Sequence, residues 1–237
     1  MLRIVPVINF PVIFLVIISC TLYGYNLIMK REYHIEMTRE ALGEHFSERA
    51  LQVIIKANIN QDRLAGMFFH DEFHFDNNAF DKGYRYMNEQ RGYVLATFIG
   101  TGVSPIVAWQ AFGRLLHSAQ DFYAHSNYVT LWLDEQTASS SSGEIEPLKK
   151  DILQSPKLHS GKVYFPLDLM YYILPIRPLV MKVLPKDSHG WMNLDSPEQG
   201  FKFDYAIRAA VKRTKHEFEI LQKLLTPEMM AKFMDKQ

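Results

Sequence analysis

The stretch Leu115-Leu116-His117-Ser118-Ala119-Gln120-Asp121-Phe122-Tyr123-Ala124-His125-Ser126-Asn127 limits what this chain can fold into more than any other. His117, Asp121 and His125 are spaced four and four. On a helix each step of four residues turns the direction by only about 40°, so the three side chains leave one face, stacked over two turns. Leu115, Leu116, Ala119, Phe122 and Tyr123 surround them, which places part of the helix in a core. A lone histidine on an apolar face is ordinarily satisfied by a hydrogen bond. Two imidazoles and a carboxylate in register are the donor types zinc prefers, and a buried row of such groups needs a partner because unpaired buried polarity is costly.

Composition narrows the choice of partner. The chain has 237 residues, 26 Lys+Arg against 26 Asp+Glu, nine His and one Cys. A neutral balance offers no basic excess for a nucleic-acid backbone. The lone Cys20 cannot close an intrachain disulfide or build a Cys-rich zinc finger. A metal would therefore be held by His, Asp and Glu, a donor set typical of open catalytic sites.

From Ile4 to Met29 the sequence carries no charged residue. Arg3 followed by this run has the layout of a secretory signal. Ile17-Ile18-Ser19-Cys20 resembles a bacterial lipobox, and the run is also long enough for an uncleaved anchor. A buried core helix ranks behind these. Residues 1–32 are thus expected to be a signal peptide, lipoprotein signal or membrane anchor, which places the remainder in the cell envelope or outside the cell. Residues 33–237 suit one domain with a full core.

That remainder reads as helices. His34 to Leu42 forms one, with Gly43 as its stop. Ser47 caps a second that carries Leu51, Ile54 and Ile55 and runs to about Ala57, with Asn58, Asn60 and Asp62 marking a turn. Arg63 to Phe80, rich in aromatics and acids, reads as an ordered loop. Helical spacing resumes from Asp81 to Gly100. Ser104-Pro105 starts the central helix, expected to run to about Leu131. Ser139 to Ser142 with Gly143 reads as a solvated loop. Val163 to Leu184 is apolar but broken by Pro166, Pro175 and Pro178; a core-packed irregular segment is favoured over a lid or a lipid-touching surface. Phe203 to Leu225 is amphipathic, with Ala206, Ile207, Ala210, Val211, Phe218 and Leu221 inward, and Thr226-Pro227-Glu228 opens a last helix. No strand alternation or repeat stands out.

Five stretches in this order resemble one family. The central segment Leu116 to Asn127 is similar to the zinc-dependent phospholipase C fold, which includes single-strand-specific zinc nucleases, and most closely to the branch of fungal heterokaryon-incompatibility proteins and their bacterial relatives. His34 with Thr38 and Ala41-Leu42, Asp62 after Asn58, His74-Phe75-Asp76-Asn77, and His189-Gly190-Trp191-Met192-Asn193-Leu194-Asp195-Ser196 resemble its other ligand segments. The resemblance spans about residues 33 to 215.

It implies an all-α, compact multi-helix phospholipase C-like domain built on a central metal-binding helix, with two or three zinc ions in a cleft. Carried over by position, His74, His117 and Asp121 hold one ion, and His34 and Asp62 a second with Asp121 as a bridge. His125, His189 and Asp195 hold a third. Asp62 is a ligand, a general base or both. His70, Asp71 and Asp76 are spare candidates that would orient ligands; His45, His159 and His216 are surface or packing residues. Two departures stand out: no Trp precedes Trp109, where the phospholipases use an N-terminal Trp as a ligand, and no carboxylate follows His189 at a spacing of four.

The implied activity is zinc-dependent hydrolysis of a phosphodiester, most of all phospholipase C-type cleavage of phospholipid head groups. A membrane-directed N-terminus and neutral charge favour lipid over nucleic acid. The alternative is a membrane-associated metal-binding or interaction protein of the same fold without catalysis, and a purely structural zinc bundle ranks third.

Overall fold

The computed structural model describes residues 31–63, 70–99, 102–139, 143–173 and 175–236. The expected signal or anchor falls almost wholly outside them. Among the described residues the fold is all-helical, without strands, and no helix is long and apolar enough to cross a membrane. Two isolated β-bridges, Ser126 with Ser160 and Lys162 with Ser188, tie loops together.

The order is α1 (Arg31–Leu42), α2 (Glu48–Ile59), α3 (Asp71–His74), a 3-10 turn (Asp76–Asn78), α4 (Phe80–Ile99), α5 (Pro105–His125), α6 (Tyr128–Ser139), α7 (Lys150–Leu153), α8 (Leu167–Tyr171), α9 (Arg177–Val183), α10 (His189–Met192), a second 3-10 turn (Pro197–Gln199), α11 (Lys202–Leu224) and α12 (Pro227–Met234). Helix α5 is the axis, with α2, α4 and α11 packed around it. Ser104 caps it by accepting from the Ile106 N–H, and Pro105 occupies its first turn, where a missing N–H costs nothing. From Leu115 to His125 every residue is buried. A helix enclosed on all sides normally carries apolar residues throughout, so its inward polar row demands an account.

Close approach between α5 and α2 depends on Gly113. A Cβ there would sit 2.2 Å from the Ile54 carbonyl oxygen and 2.8 Å from the Ala57 Cβ. Backbone cannot yield as a side chain can, so Gly113→Ala is expected to destabilise by about 3 kcal/mol, the upper part of the overpacking range. A drop in the thermal midpoint measures it; an unchanged midpoint would show that α2 can move aside.

A buried ion network pins α4 to α11. Glu217 accepts from Arg213 Nε at 2.7 Å and from Arg91 Nη2 at 2.6 Å. Burial alone would push the Glu217 carboxyl up, but the charges of Arg213 and Arg91 outweigh it and hold the group below the ordinary carboxylate range. A carboxyl depressed in the folded state adds stability that is present above its unfolded value and is lost as pH falls through the folded one. Glu217→Gln, which leaves two guanidinium groups poorly compensated, is expected to cost about 3 kcal/mol near neutral pH and to flatten the acid limb of stability against pH. Thermal melts of both proteins from neutral to acid pH read both effects.

Several boundaries differ from the sequence expectation. Helix α5 stops at His125 rather than near Leu131. Ser126 turns its hydroxyl back onto the Phe122 carbonyl at 2.5 Å, and Asn127 grips the 157–159 turn through the Lys157 carbonyl and the His159 N–H. Helix α2 continues to Ile59, so Asn58 lies on its last turn, buried, instead of in a turn. Arg63 to Phe80 is not simply a loop: α3 and a 3-10 turn occupy Asp71 to Asn78, while 64–69 lie outside the described residues. Val163 to Leu184 divides. Tyr171, Val180 and Leu184 form a small second core, whereas Phe165, Leu179 and Val183 are exposed.

Candidate metal centre

Five elements and two connecting segments deliver their polar residues to one buried place. His34 comes from α1, Asp62 from the segment after α2, His74 from α3 and Asp76 from the turn after it. His117, Asp121 and His125 come from α5, His189 from α10 and Asp195 from the segment beyond. Among the described residues all of these but Asp195 fall into three overlapping groups, each compact enough to hold one ion: His34, Asp62, His117 and Asp121; His74, Asp121 and His125; and Asp76, His125 and His189. Asp121 is the hub. Its carboxylate lies 3.2 Å from His34 Nε2, 2.7 Å from His74 Nδ1 and 3.1 Å from His117 Nε2.

Hydrogen bonds behind the rings decide which nitrogens face inward. His34 Nδ1 meets Gln120 Oε1 at 2.7 Å and His117 Nδ1 meets Asn58 Oδ1 at 3.2 Å. Each Nδ1 therefore donates, and Nε2 is the nitrogen that turns toward Asp62 and Asp121, holding a lone pair once the ring is neutral. Gln120 is itself fixed: its Nε2 donates to Thr38 and Thr214, and its Oε1 also accepts from Asn58 Nδ2. Such partners set the tautomer and angle of a metal-binding imidazole.

The same logic applies at the other end. His125 Nδ1 donates to the His74 carbonyl at 3.0 Å, so its Nε2 faces Asp195 Oδ1 at 3.2 Å. His189 Nδ1 lies 3.0 Å from Asp76 Oδ1, and its Nε2 lies 3.8 Å from Asp195 Oδ2 and 2.9 Å from the Tyr172 hydroxyl. Two Nε2 atoms thus meet the Asp195 carboxylate while Asp76 stands behind His189 as its orienting carboxylate. The compact donor group at this end is Asp76, His125 and His189, with Asp195 beside the two Nε2 atoms.

Four buried atoms of the cluster lack an aligned hydrogen-bond partner, His34 Nε2, Asp62 Oδ2, His74 Nε2 and Asp121 Oδ1, and the Asp62 and Asp121 oxygens crowd within 3.8 Å of the His34 nitrogen. Each such atom ordinarily costs about 1–3 kcal/mol. The charges tell the same story. Burial disfavours the charged form of His34, yet the Asp121 carboxylate, whose Oδ1 lies 3.2 Å from Nε2 off hydrogen-bond alignment, outweighs it with Asp62 adding and raises the pKa to about 9. Burial works against ionised His125 too, but Asp121, Asp195 and Asp76 push it well above its usual value. His117 is driven down by burial, which outweighs the same carboxylates. Asp121 resists burial through His117 and His125 and stays well below the carboxylate range. Protons here occupy positions where a divalent cation would supply the same charge, and a metal competes with them for the donors. Imidazole and carboxylate without thiolate suit zinc and its borderline neighbours, so the residues fit the group the sequence implies.

Seven of the eight sequence-predicted donors fall in these groups, although their partition differs, while Asp195 stands outside them beside His125 and His189. His117 sits with His34 and Asp62, and His74 with His125, both groups sharing Asp121. His70 and Asp71 stand apart, bonded to Glu72 and Asn77; Asp76, one of the spare candidates, lies inside. His45 packs on Phe218, and His159 is exposed and bonded to Asn127. Sequence reasoning missed Gln120 and Tyr172. Gln120 had a readable signal: at His117+3 it shares the inward face of α5. Tyr172 had none, since only the folding of α8 against α10 brings it to His189. Gln120→Leu keeps volume but frees the His34 ring, and, on the zinc reading proposed below, is expected to weaken metal affinity by about 10–100-fold, measured by competition with a chromophoric chelator. Unaltered affinity would mean that the Gln120 bond is incidental to His34.

Residues 29–141 match the family model described as the VWA7 N-terminal domain. No curated protein and no solved structure matches. The matched span is similar to that domain over α1 to α6, and it contains His34, Asp62, His74, His117, Asp121 and His125; His189 and Asp195 lie beyond it.

Proposed function

We propose that this domain binds two or three zinc ions through His34, Asp62, His74, His117, Asp121, His125, His189 and Asp195, and uses them to hydrolyse a phosphodiester, with a phospholipid head group as the preferred substrate. The observation that carries the reading is the set of four partnerless donor atoms on His34, Asp62, His74 and Asp121, buried together. The resemblance of these segments to the zinc-dependent phospholipase C fold supports the choice of reaction, and the apolar run from Ile4 to Met29 supports a substrate and location at a membrane.

Bound zinc ions would supply two things: neutralisation of phosphate oxygens and a water whose pKa falls to about 7. The chain supplies the rest. Asp62 Oδ2 has no hydrogen-bond partner and lies 3.8 Å from His34 Nε2, so it is the atom we assign to accept a proton from an attacking water. Gln120 and Asn58 keep His34 and His117 aimed at that place. Asp195, the least enclosed donor, with 13% of its side chain exposed, marks the edge from which substrate enters.

A second reading, a metal-binding module without turnover, is favoured by the complete burial of His34 and His117. Zinc analysis of the purified full-length chain, with turnover on phosphatidylcholine and on single-stranded DNA, separates them. The hydrolase requires two or three ions and a lipid phosphodiesterase rate that Asp62→Asn abolishes. Zero or one ion without turnover sinks it, and DNA cleavage with intact lipid reassigns the substrate.

A further inference from the structure

The segment 163–186 is apolar, and its charges are one-sided. Its basic residues are Arg177, Lys182 and Lys186. Its single acid, Asp168, is buried and accepts the Tyr164 and Gly190 N–H groups at 2.6 and 2.8 Å. Helix α9 divides the apolar residues between two faces. Val180 and Leu184 enter the small core, while Leu179 and Val183, four apart and about 100° round the helix from that pair, are 64% and 66% exposed, with Lys182 exposed beside them. Trp191 joins the end of this face: its Nε1 donates to the Leu184 carbonyl at 3.1 Å, and Lys186 Nζ stands 3.0 Å over its ring. Two residues earlier on α10, His189 turns inward to Asp76.

We propose that the outer face of α9, with Trp191 and Lys186 at its end, docks on an anionic phospholipid bilayer. Leu179 and Val183 enter the acyl boundary, Lys182 and Lys186 meet lipid phosphates, and the indole sits at head-group depth, where amphipathic rings concentrate. The charge pattern selects this occupant. Exposed aliphatics flanked by cations complement a negative membrane surface, and the neighbouring acids are engaged: Asp168 lies in the core, and Asp187, next to Lys186 in sequence, pairs with Lys162 at 2.8 Å; the uncharged run from Ile4 to Met29 offers these lysines no counter-charge. Docking here brings lipid phosphates to the side of the fold where His189 and Asp195 lie. That last consequence rests on the phosphodiesterase reading; the docking itself does not.

Trp191 provides the test. Of the three tryptophans, Trp109 and Trp132 are buried and Trp191 is 36% exposed. The full-length chain is mixed with phosphatidylglycerol–phosphatidylcholine vesicles containing dibrominated acyl chains, and with vesicles of brominated phosphatidylcholine alone. The expected result is quenching and a blue shift of Trp191 emission with the anionic vesicles only. Leu179→Glu with Val183→Glu should lose the quenching, and Lys182→Glu with Lys186→Glu should weaken vesicle binding by about tenfold or more. These positions are exposed, so both variants should keep the wild-type thermal midpoint, zinc content and turnover of a soluble phosphodiester. Association with vesicles without quenching of Trp191 would place the contact elsewhere and overturn the proposal. Equal quenching by neutral vesicles would overturn its anionic character. Quenching without bound zinc would leave the docking standing and remove the hydrolase.

Discussion

Asp121→Asn is expected to remove most metal from this protein while changing its volume hardly at all. Asp121 belongs to two of the three donor groups, and its oxygens lie within 3.2 Å of ring nitrogens of His34, His74 and His117. An amide offers one neutral acceptor where the carboxylate offered charge and two. Loss of an outer partner ordinarily costs 10–100-fold in metal affinity; loss of this shared donor should exceed about 100-fold, and zinc analysis after gel filtration should show occupancy falling well below that of the parent. A second readout comes from His34. Its pKa of about 9 depends chiefly on Asp121 working against burial, so in the metal-free variant the ring should titrate markedly lower by NMR. Full zinc occupancy in Asp121→Asn would remove the hub from the argument.

On the proposed metal-binding reading, stripping the ions should cost nearly as much. An ion bound about a thousandfold below its free concentration stabilises the folded state by about 4 kcal/mol. For a chain of this size each kcal/mol moves the melting midpoint by about 2–4 °C. A strong chelator is therefore expected to lower the midpoint by about 8–16 °C, reversed by added zinc and not by magnesium, whose preference for octahedral oxygen is poorly met by imidazole. The physical source is local. The four partnerless atoms gain partners when a cation enters, and the carboxylates gain a counter-charge that does not depend on pH. A midpoint indifferent to chelator would mean that the cluster is satisfied by protons alone.

How much of this was legible in the sequence depends on the range of the forces involved. Local signals read well. Ser47 and Ser104 cap helices as their side chains predict, accepting from Ala50 N and Ile106 N, and the spacing of His117, Asp121 and His125 places all three inward on α5. Signals set by distant partners did not. The end of α5 is fixed by Asn127 holding a turn thirty residues away, and nothing local announces it. Asn58 reads as a turn former by composition, yet burial against Gln120 and His117 keeps it on a helix. The partition of donors also escaped, because spacing shows which side chains share a helix face but not which neighbour from another helix stands nearest. The prolines in Val163 to Leu184 correctly forbade a long helix; they could not say that α9 would bury one face and leave the other bare.

The dispersal of the donors along the chain bears on how the protein matures. His34 and His189 stand at opposite ends of the grouped donors, with Asp195 just beyond, and α5 between them carries the shared carboxylate. A polypeptide still emerging from the ribosome can present the first six donors once α5 is made, but the last two arrive only after α10. If the proposed cations bind, loading should therefore proceed in stages, with the outermost position filled last, and a nascent chain interrupted before residue 189 should leave that position empty.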